Sequence, residues 1–487
     1  MLITLDSFNF RLTLDHLDLL PNIKKLMEHA VVFRNAFSTG PKTPFSFPGI
    51  IGGVYASDFG IGIGEHLRTI DQITAEAGYH TAFIDEANDF LTPYFGYGRN
   101  IHYSRYLMEL SPFPVDRKLM SVLMETGKSQ RAEDKPNQIR GHLPRISNRK
   151  FQGILRFALR TRRFIKLYAP SNPANYRLRT RLHEKFMAEI EEFFRNIFEP
   201  PQFIWLHSMA NHLPYLPPPD TRFSKIRINY LNFRALADLS EGSIQELKSL
   251  YVDSMRTTDD FIAKVMGALE TTGQLDRSIV ILTADHGEEF MEEGFVGHQF
   301  QSCSNSLLNV PMIFYAPKMF KERSVDAPVS TLDILPTICD ILSVGKPTTA
   351  RGFSLLGILM NNQNAVDLES KLWSRPIFSE GWHRNELDRG DEVGSQERVF
   401  AVRMNTRLLK LKQNRTAKDT IQEEYIMRDW IKDENLNLDE HREEFVILGK
   451  LLREHMTRHR GTTVHMEPYT PAEEEVLRRR LANLGYM

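Results

Sequence analysis

A carboxylate and an imidazole stand side by side at Asp285 and His286, directly behind the apolar run Ile279-Val280-Ile281-Leu282. Oxygen and nitrogen donors together suit a divalent cation. The plainer alternative is an aspartate capping the next turn beside a surface histidine. The chain opens on the same pattern, with Met1-Leu2-Ile3-Thr4-Leu5 running into Asp6 and Ser7. Between residues 38 and 48, glycine and prolines surround the hydroxyls of Thr39, Thr43 and Ser46 and the cation Lys42. Such a segment can bind and attack an anion, or be a plain surface turn. His207 and His212 follow Phe203-Ile204-Trp205-Leu206 and suit phosphate or sulfate contact as well as structural burial. His298 lies a short way downstream of His286.

Each of these groups needs an element to hold it. Four consecutive β-formers without alternation read as a strand covered on both faces. In open α/β sheets, chemistry sits beyond the carboxyl ends of the strands. Asp6 and Asp285, far apart in sequence, can therefore meet at neighbouring strand ends of one parallel sheet. Helical spacing is expected over residues 14–30, its main part opened by Pro21. A strand at 31–33, a loop at 38–48 and a short helix ended by Gly53 follow. A helix at 70–77 closed by Gly78 leads to a strand at 80–85, so the first hundred residues read as βαβ units. A long helix is expected at 247–269, with Asp259 and Asp260 on its solvated face. Further strands are expected at 310–315 and, in a smaller unit, near 401–403, 408–411 and 425–426. An acid-rich helix at 433–448 and a final helix at 471–484 follow.

The expected fold class is a three-layer α/β/α sandwich with a mostly parallel central sheet over residues 1–370. A small C-terminal α+β subdomain occupies 371–487. A basic helical insertion at about 118–185 can contact an anionic membrane surface or a polyanion, or be an ordinary solvated face.

With 487 residues the chain can bury a large core, and 41% hydrophobic and 25% charged content are ordinary for a soluble globular protein. A net charge of -1 gives no case for nucleic acid. Cys303 and Cys339, the two cysteines, exclude a disulfide framework. No run of about 18 apolar residues occurs, so no membrane-spanning helix is expected. With a strand already at residue 2, no signal peptide is expected, and the chain reads as cytoplasmic.

The ordered set of segments resembles the sulfatase branch of the alkaline phosphatase superfamily. The segments are Leu2-Ile3-Thr4-Leu5-Asp6-Ser7, then Thr43-Pro44-Phe45-Ser46-Phe47-Pro48 ending at Gly53, and Gly78-Tyr79-His80-Thr81-Ala82-Phe83. Asn211-His212-Leu213-Pro214-Tyr215, Thr283-Ala284-Asp285-His286-Gly287-Glu288 and Gly297-His298 come next, before Val310-Pro311-Met312-Ile313 and Leu332-Asp333-Ile334-Leu335-Pro336-Thr337. The resemblance implies a metal-dependent hydrolase of sulfate, phosphate or phosphonate esters. It implies metal ligands at Asp6, Asp285 and His286 for one divalent ion (Ca, Mg, Mn or Zn), with His207, His212 and His298 as spare ligands for a second. It places the nucleophile at Thr43, and His212 and His298 at the ester oxygens or leaving group.

The sequence departs from the family pattern at several positions. The nucleophile position holds threonine instead of the usual cysteine or serine, so formylglycine is not expected. Phe47 stands where an arginine is usual, and Lys42 can supply the missing positive charge. Ser7 replaces a second acid, and a lysine motif near Asp85 is missing. The expected substrate is a small-molecule or glycan sulfate or phosphate ester, with Lys42 and His207 as substrate contacts. Alternatives are a phosphodiesterase or a phospho-alcohol transferase acting on a glycan or lipid, and an inactive member that binds an anion, glycan or membrane.

Overall fold

The computed structural model describes residues 1–107 (without 61, 65–66, 89, 93–94 and 99–100), 173–196, 201–219 (without 214), 240–382, 397–415 and 420–457. The basic insertion expected at 118–185 lies outside the described residues as far as 172, and the helix expected at 471–484 lies wholly outside them.

The apolar runs become strands β1 (Leu2–Leu5), β2 (Val31–Phe37), β3 (His80–Asp85), β4 (Tyr103–Tyr106), β5 (Gln202–Ser208) and β6 (Val280–Ala284). A short hairpin, β7 (Glu289–Phe290) and β8 (Val296–Gly297), precedes β9 (Asn309–Tyr315), β10 (Arg323–Val325) and β11 (Val329–Ser330). The main sheet has nine strands in the order β10-β2-β9-β6-β1-β5-β3-β4, with β11 also on β2. Only β9 runs antiparallel to its neighbours β2 and β6. Every residue of β1 and β6 is buried, as runs without alternation require. These two strands pair in parallel, Leu5 opposite Ala284, so Asp6 and Asp285 leave the sheet side by side. On its other edge β1 pairs with β5, Leu5 opposite Ser208.

Helices Pro21–Glu28, Pro173–Arg195 and Glu241–Thr271 pack on one another, as do Thr43–Gly52, Ile70–Glu76 and Ile334–Ile341. A second, antiparallel sheet follows: β12 (Ile377–Trp382), β13 (Glu397–Met404), β14 (Arg407–Arg415), β15 (Ile421–Asp429) and β16 (Glu434–Leu436). Helix Arg442–Thr457 covers it through Leu448 and Leu452.

Three local expectations are corrected. The segment expected as a loop to residue 48 is helical from Thr43, because Pro44 fits a first turn that needs no N–H from it. Asp259 is not solvated; it is buried and accepts from the Asn22 and Ile23 amides, capping helix Pro21–Glu28. The acid-rich stretch at 433–448 begins as edge strand β16, and its helix starts only at Arg442.

The second sheet is tied to the β7–β8 hairpin by buried charge. Lys410 on β14, 2% exposed, pairs with Glu293 in the turn between β7 and β8. Glu293 also accepts from Ser302 Oγ at 3.1 Å and the Cys303 amide at 3.3 Å. Arg428 Nη1 stands 3.6 Å from the other Glu293 oxygen, beyond hydrogen-bond reach, so without Lys410 the carboxylate is poorly compensated, whereas an uncharged pair carries no such cost. Lys410→Met is therefore expected to cost about 3–5 kcal/mol in urea unfolding, and adding Glu293→Gln to recover most of it. Equal stability of the single variant and the wild type would refute this account.

Candidate active site

Asp6 and Asp285 extend from the carboxyl ends of β1 and β6, and His286 follows at the next residue. One ligand atom from each of the three lies within 4.8 Å of the others, and all three side chains are buried. His286 Nδ1 is 2.9 Å from the Gly287 carbonyl, which fixes the proton there and leaves Nε2 as an acceptor. That Nε2 is buried without a hydrogen-bond partner, 3.4 Å from Asp285 Oδ2 and 4.0 Å from Asp6 Oδ1. An orphaned nitrogen facing two carboxylates fits a divalent cation with mixed oxygen and nitrogen donors.

The electrostatics tell the same story. Burial and the nearby Asp6 charge push the Asp285 carboxyl well above the ordinary range. Burial also opposes charge on Asp6, but His212, His207 and His286 outweigh it and hold that carboxyl well below its usual value. Without a cation the protein keeps one acid ionised and favours a proton on the other.

The carboxylates are held by close donors. Asp6 accepts from Ser7 Oγ at 2.9 Å and from Asn88 Nδ2 at 2.7 Å. Asn88 Oδ1 is occupied by the Phe90 amide, which fixes the orientation of the side-chain amide. Asp285 Oδ1 accepts from the amides of His286 at 2.8 Å and Ser7 at 3.2 Å. Ser7 lies in the left-handed region at φ 56. Its carbonyl accepts from Tyr251 Oη at 2.6 Å, and the same phenol oxygen accepts from the Asn9 amide at 2.7 Å. Strained backbone at a functional turn persists only when neighbours over-determine it. Gly287 has a packing reason, since a Cβ there would lie 2.0 Å from the Ser306 carbonyl oxygen.

Thr43 opens helix Thr43–Gly52, and its Oγ1 donates to Asp285 Oδ2 at 2.8 Å. The helix start offers fewer amides than expected, because Pro44 has none and Phe45 and Ser46 both donate to the Lys42 carbonyl. Lys42 sits at the N-cap, near enough for its charge to lower the basicity of His298 and His286 after the larger effect of burial. Phe47 is fully buried against Trp205 and the His207 ring, so the position of the expected arginine belongs to the core.

The histidines divide into two sets. His207 is buried behind Asp6, its Nδ1 2.9 Å from Thr4 Oγ1 and its Nε2 3.5 Å from Asp6 Oδ2. The His298 ring lies between those of His286 and His212, with centroids 4.7 Å and 5.1 Å away, and His212 is the foremost charge acting on Asp6. Burial lowers His212 to about 4. His298 Nδ1 meets Glu288 Oε2 at 2.9 Å, and Glu288 Oε1 accepts from Tyr215 at 2.8 Å. Burial raises Glu288 to about 7. Sequence reasoning assigned no role to Glu288, Tyr215, Asn88 or Tyr251. Only Glu288, directly after the metal-competent pair, and the polar cluster 85–88 after β3 carried a readable signal.

Comparison with known proteins bears on the family and the fold. Arylsulfatase K of Mus musculus is 31% identical over 139 residues, 28% of this chain and 24% of that protein, so the match spans about a quarter of that relative's length. The uncharacterized sulfatase YidJ of Escherichia coli (strain K12) is 23% identical over 360 residues, 69% of this chain and 65% of its own. The phosphonate monoester hydrolase SpPMH from Silicibacter pomeroyi superposes with a TM-score of 0.62 at 19% identity, covering 97% of both chains, a likeness of fold. The family description "Sulfatase" matches residues 1–344, most of the chain, and the protein belongs to the sulfatase family.

Proposed function

We propose that the chain is a divalent-metal-dependent hydrolase of sulfate, phosphate or phosphonate esters, with Thr43 as nucleophile. The observation that carries this reading is the 2.8 Å bond from Thr43 Oγ1 to Asp285 Oδ2, at the mouth of the Asp6, Asp285 and His286 cluster. The relatives' names, sulfatase and phosphonate monoester hydrolase, support the same ester classes.

Asp6, Asp285 and His286 would hold the cation. When bound it supplies the positive charge that offsets repulsion between an anionic ester and an incoming alkoxide. Thr43 Oγ1 is oriented by its bond to Asp285 Oδ2, and beside a bound cation its proton would leave to water more easily. The Thr43 oxygen then bonds to the sulfur or phosphorus atom as the bond to the alcohol oxygen breaks. His298, with His212 beside it, would give the departing oxygen the proton on Nε2 while taking one at Nδ1 from Glu288, a contribution of about 10²–10⁴-fold. Glu288 decides which nitrogen of His298 faces the site. Water attacks the sulfo- or phospho-threonine next, releasing the anion and restoring Thr43. Lys42 balances the charge of the bound ester. His207 supports Asp6 from behind.

The test is turnover of 4-nitrophenyl sulfate, 4-nitrophenyl phosphate, 4-nitrophenyl phenylphosphonate and bis(4-nitrophenyl) phosphate with Mn, Zn, Mg or Ca. Thr43→Ala is expected to lose about 10³-fold or more in kcat, and Thr43→Ser to retain measurable activity. Undiminished turnover by Thr43→Ala would remove Thr43 from the chemistry, and no turnover with any ion would leave only an anion-binding role.

The Tyr251 phenol gives a second expectation. Tyr251→Phe strands the Ser7 carbonyl and the Asn9 amide, costing about 1–3 kcal/mol of stability. Looser support of Asp6 should weaken Mn or Zn binding by about 10–100-fold in calorimetric titration. Unchanged metal affinity would show that the phenol serves folding alone.

A further inference from the structure

Resting on the hydrolase reading, we propose that Arg179 forms a second anion subsite beside His212. The ester cleaved would then carry, on its alcohol side, a further negatively charged group such as a sulfate or carboxylate.

The argument begins with one carbonyl. Met209 O, just past the end of β5, accepts from the His212 amide at 3.0 Å and from Arg179 Nη2 at 2.5 Å. The guanidinium on helix Pro173–Arg195 is thereby fastened to the turn that carries His212. Its charge helps keep Glu86 ionised, yet no hydrogen bond joins the two side chains. Glu86 already uses Oε1 on His183 Nδ1 at 3.0 Å, and Oε2 on Ser208 Oγ at 2.9 Å and the Met209 amide at 2.7 Å. Those contacts, with the charge of His183 foremost, outweigh burial and hold Glu86 down at about 2, a carboxylate whose needs are met. Among the described residues Arg179 Nη2 alone finds a partner, while Nε is buried with none. A guanidinium has five donors in a planar fork suited to sulfate, phosphate and carboxylate.

Position decides which part of the substrate it would meet. Strands β6, β1 and β5 lie in that order, so across their ends one line runs from Asp285 with Thr43, past Asp6, to the Met209 carbonyl that Arg179 shares. The reacting group must stay at Thr43 and Asp285, at the other end of that line. Arg179 therefore lies where the alcohol half of the ester leads away, beside His212. Its charge is also felt at His212, as the last of the named influences on that ring.

The experiment uses the full chain, its Arg179→Gln and Arg179→Lys variants, and three esters: 4-nitrophenyl sulfate and its 3-carboxy and 3-sulfonato derivatives. The same set is made as phenylphosphonates if that class is the one turned over. Wild type is expected to favour the anion-bearing esters in kcat/KM. In Arg179→Gln that preference should fall about 10–100-fold, the worth of a charged hydrogen bond, and Arg179→Lys should restore most of it. Comparing the ratio between variants cancels the intrinsic reactivity of the esters. The carboxylate and sulfonate arms separate the two kinds of anion. Equal loss on all three esters would place Arg179 on the reacting group and overturn the proposal, as would no change. Binding of 3-sulfonato-4-nitrophenol against 4-nitrophenol is read by titration in parallel. It tests the subsite without turnover, so that failure of the hydrolase reading and failure of the subsite are told apart.

Discussion

Two carboxylates, Asp6 and Asp285, lie buried side by side at the ends of adjoining strands, and their mutual repulsion is the constraint around which the site is built. Taking one carboxylate out of water is expensive, and a second beside it more so. The protein answers by crowding donors onto both: Ser7 and Asn88 on Asp6, the Ser7 and His286 amides and Thr43 on Asp285. Hydrogen bonds reduce the cost without removing it, as the opposite displacement of the two acids shows. The acids and the threonine hydroxyl are thus one electrostatic unit, in which Thr43 Oγ1 is held by Asp285 Oδ2.

The second sheet belongs to that unit. Strand β12 donates from the Glu380 amide to the Thr39 carbonyl at 2.8 Å and from Ser379 Oγ to the Ser38 carbonyl at 2.7 Å. Ser38 in turn donates to the Asp285 carbonyl at 2.5 Å. Gly40 lets these chains approach, because a Cβ there would sit 2.3 Å from Phe45 Cβ and 2.8 Å from the Glu380 carbonyl oxygen. Glu380 also accepts from the Ser57 amide and faces His455 Nε2 at 2.9 Å, joining the last described helix to the segment that follows the Thr43 helix. The segments before and after the Thr43 helix are therefore both braced by the C-terminal unit.

What the sequence disclosed follows from how local each signal is. The meeting of Asp6, Asp285 and His286 was legible because an unbroken β run ending in a polar side chain names both the element and its end. The helical start of Thr43 was obscured by Pro44, Pro48 and glycines, which read as a loop until packing is known. Tyr251 sits mid-helix, and its contact with Ser7 spans 244 positions, a distance across which no periodicity speaks. Asp259 followed the same rule, its helical phase fitting a solvated face until a second helix took the space before it. Polar residues buried by distant partners were the ones left unread.

The middle of the main sheet is made of its earliest residues. Strand β1 begins at residue 2, yet its neighbours β5 and β6 arrive some two hundred and then nearly three hundred residues later. At a ribosomal pace of about 5–20 residues per second, Leu2 to Leu5 wait roughly 10–60 seconds for their last edge to be covered. A nascent chain therefore carries a bare apolar ribbon for most of its synthesis, a ready target for chaperones. The cluster of Asp6, Asp285 and His286 is likewise complete only once residue 286 has been added, some 280 residues after its first member.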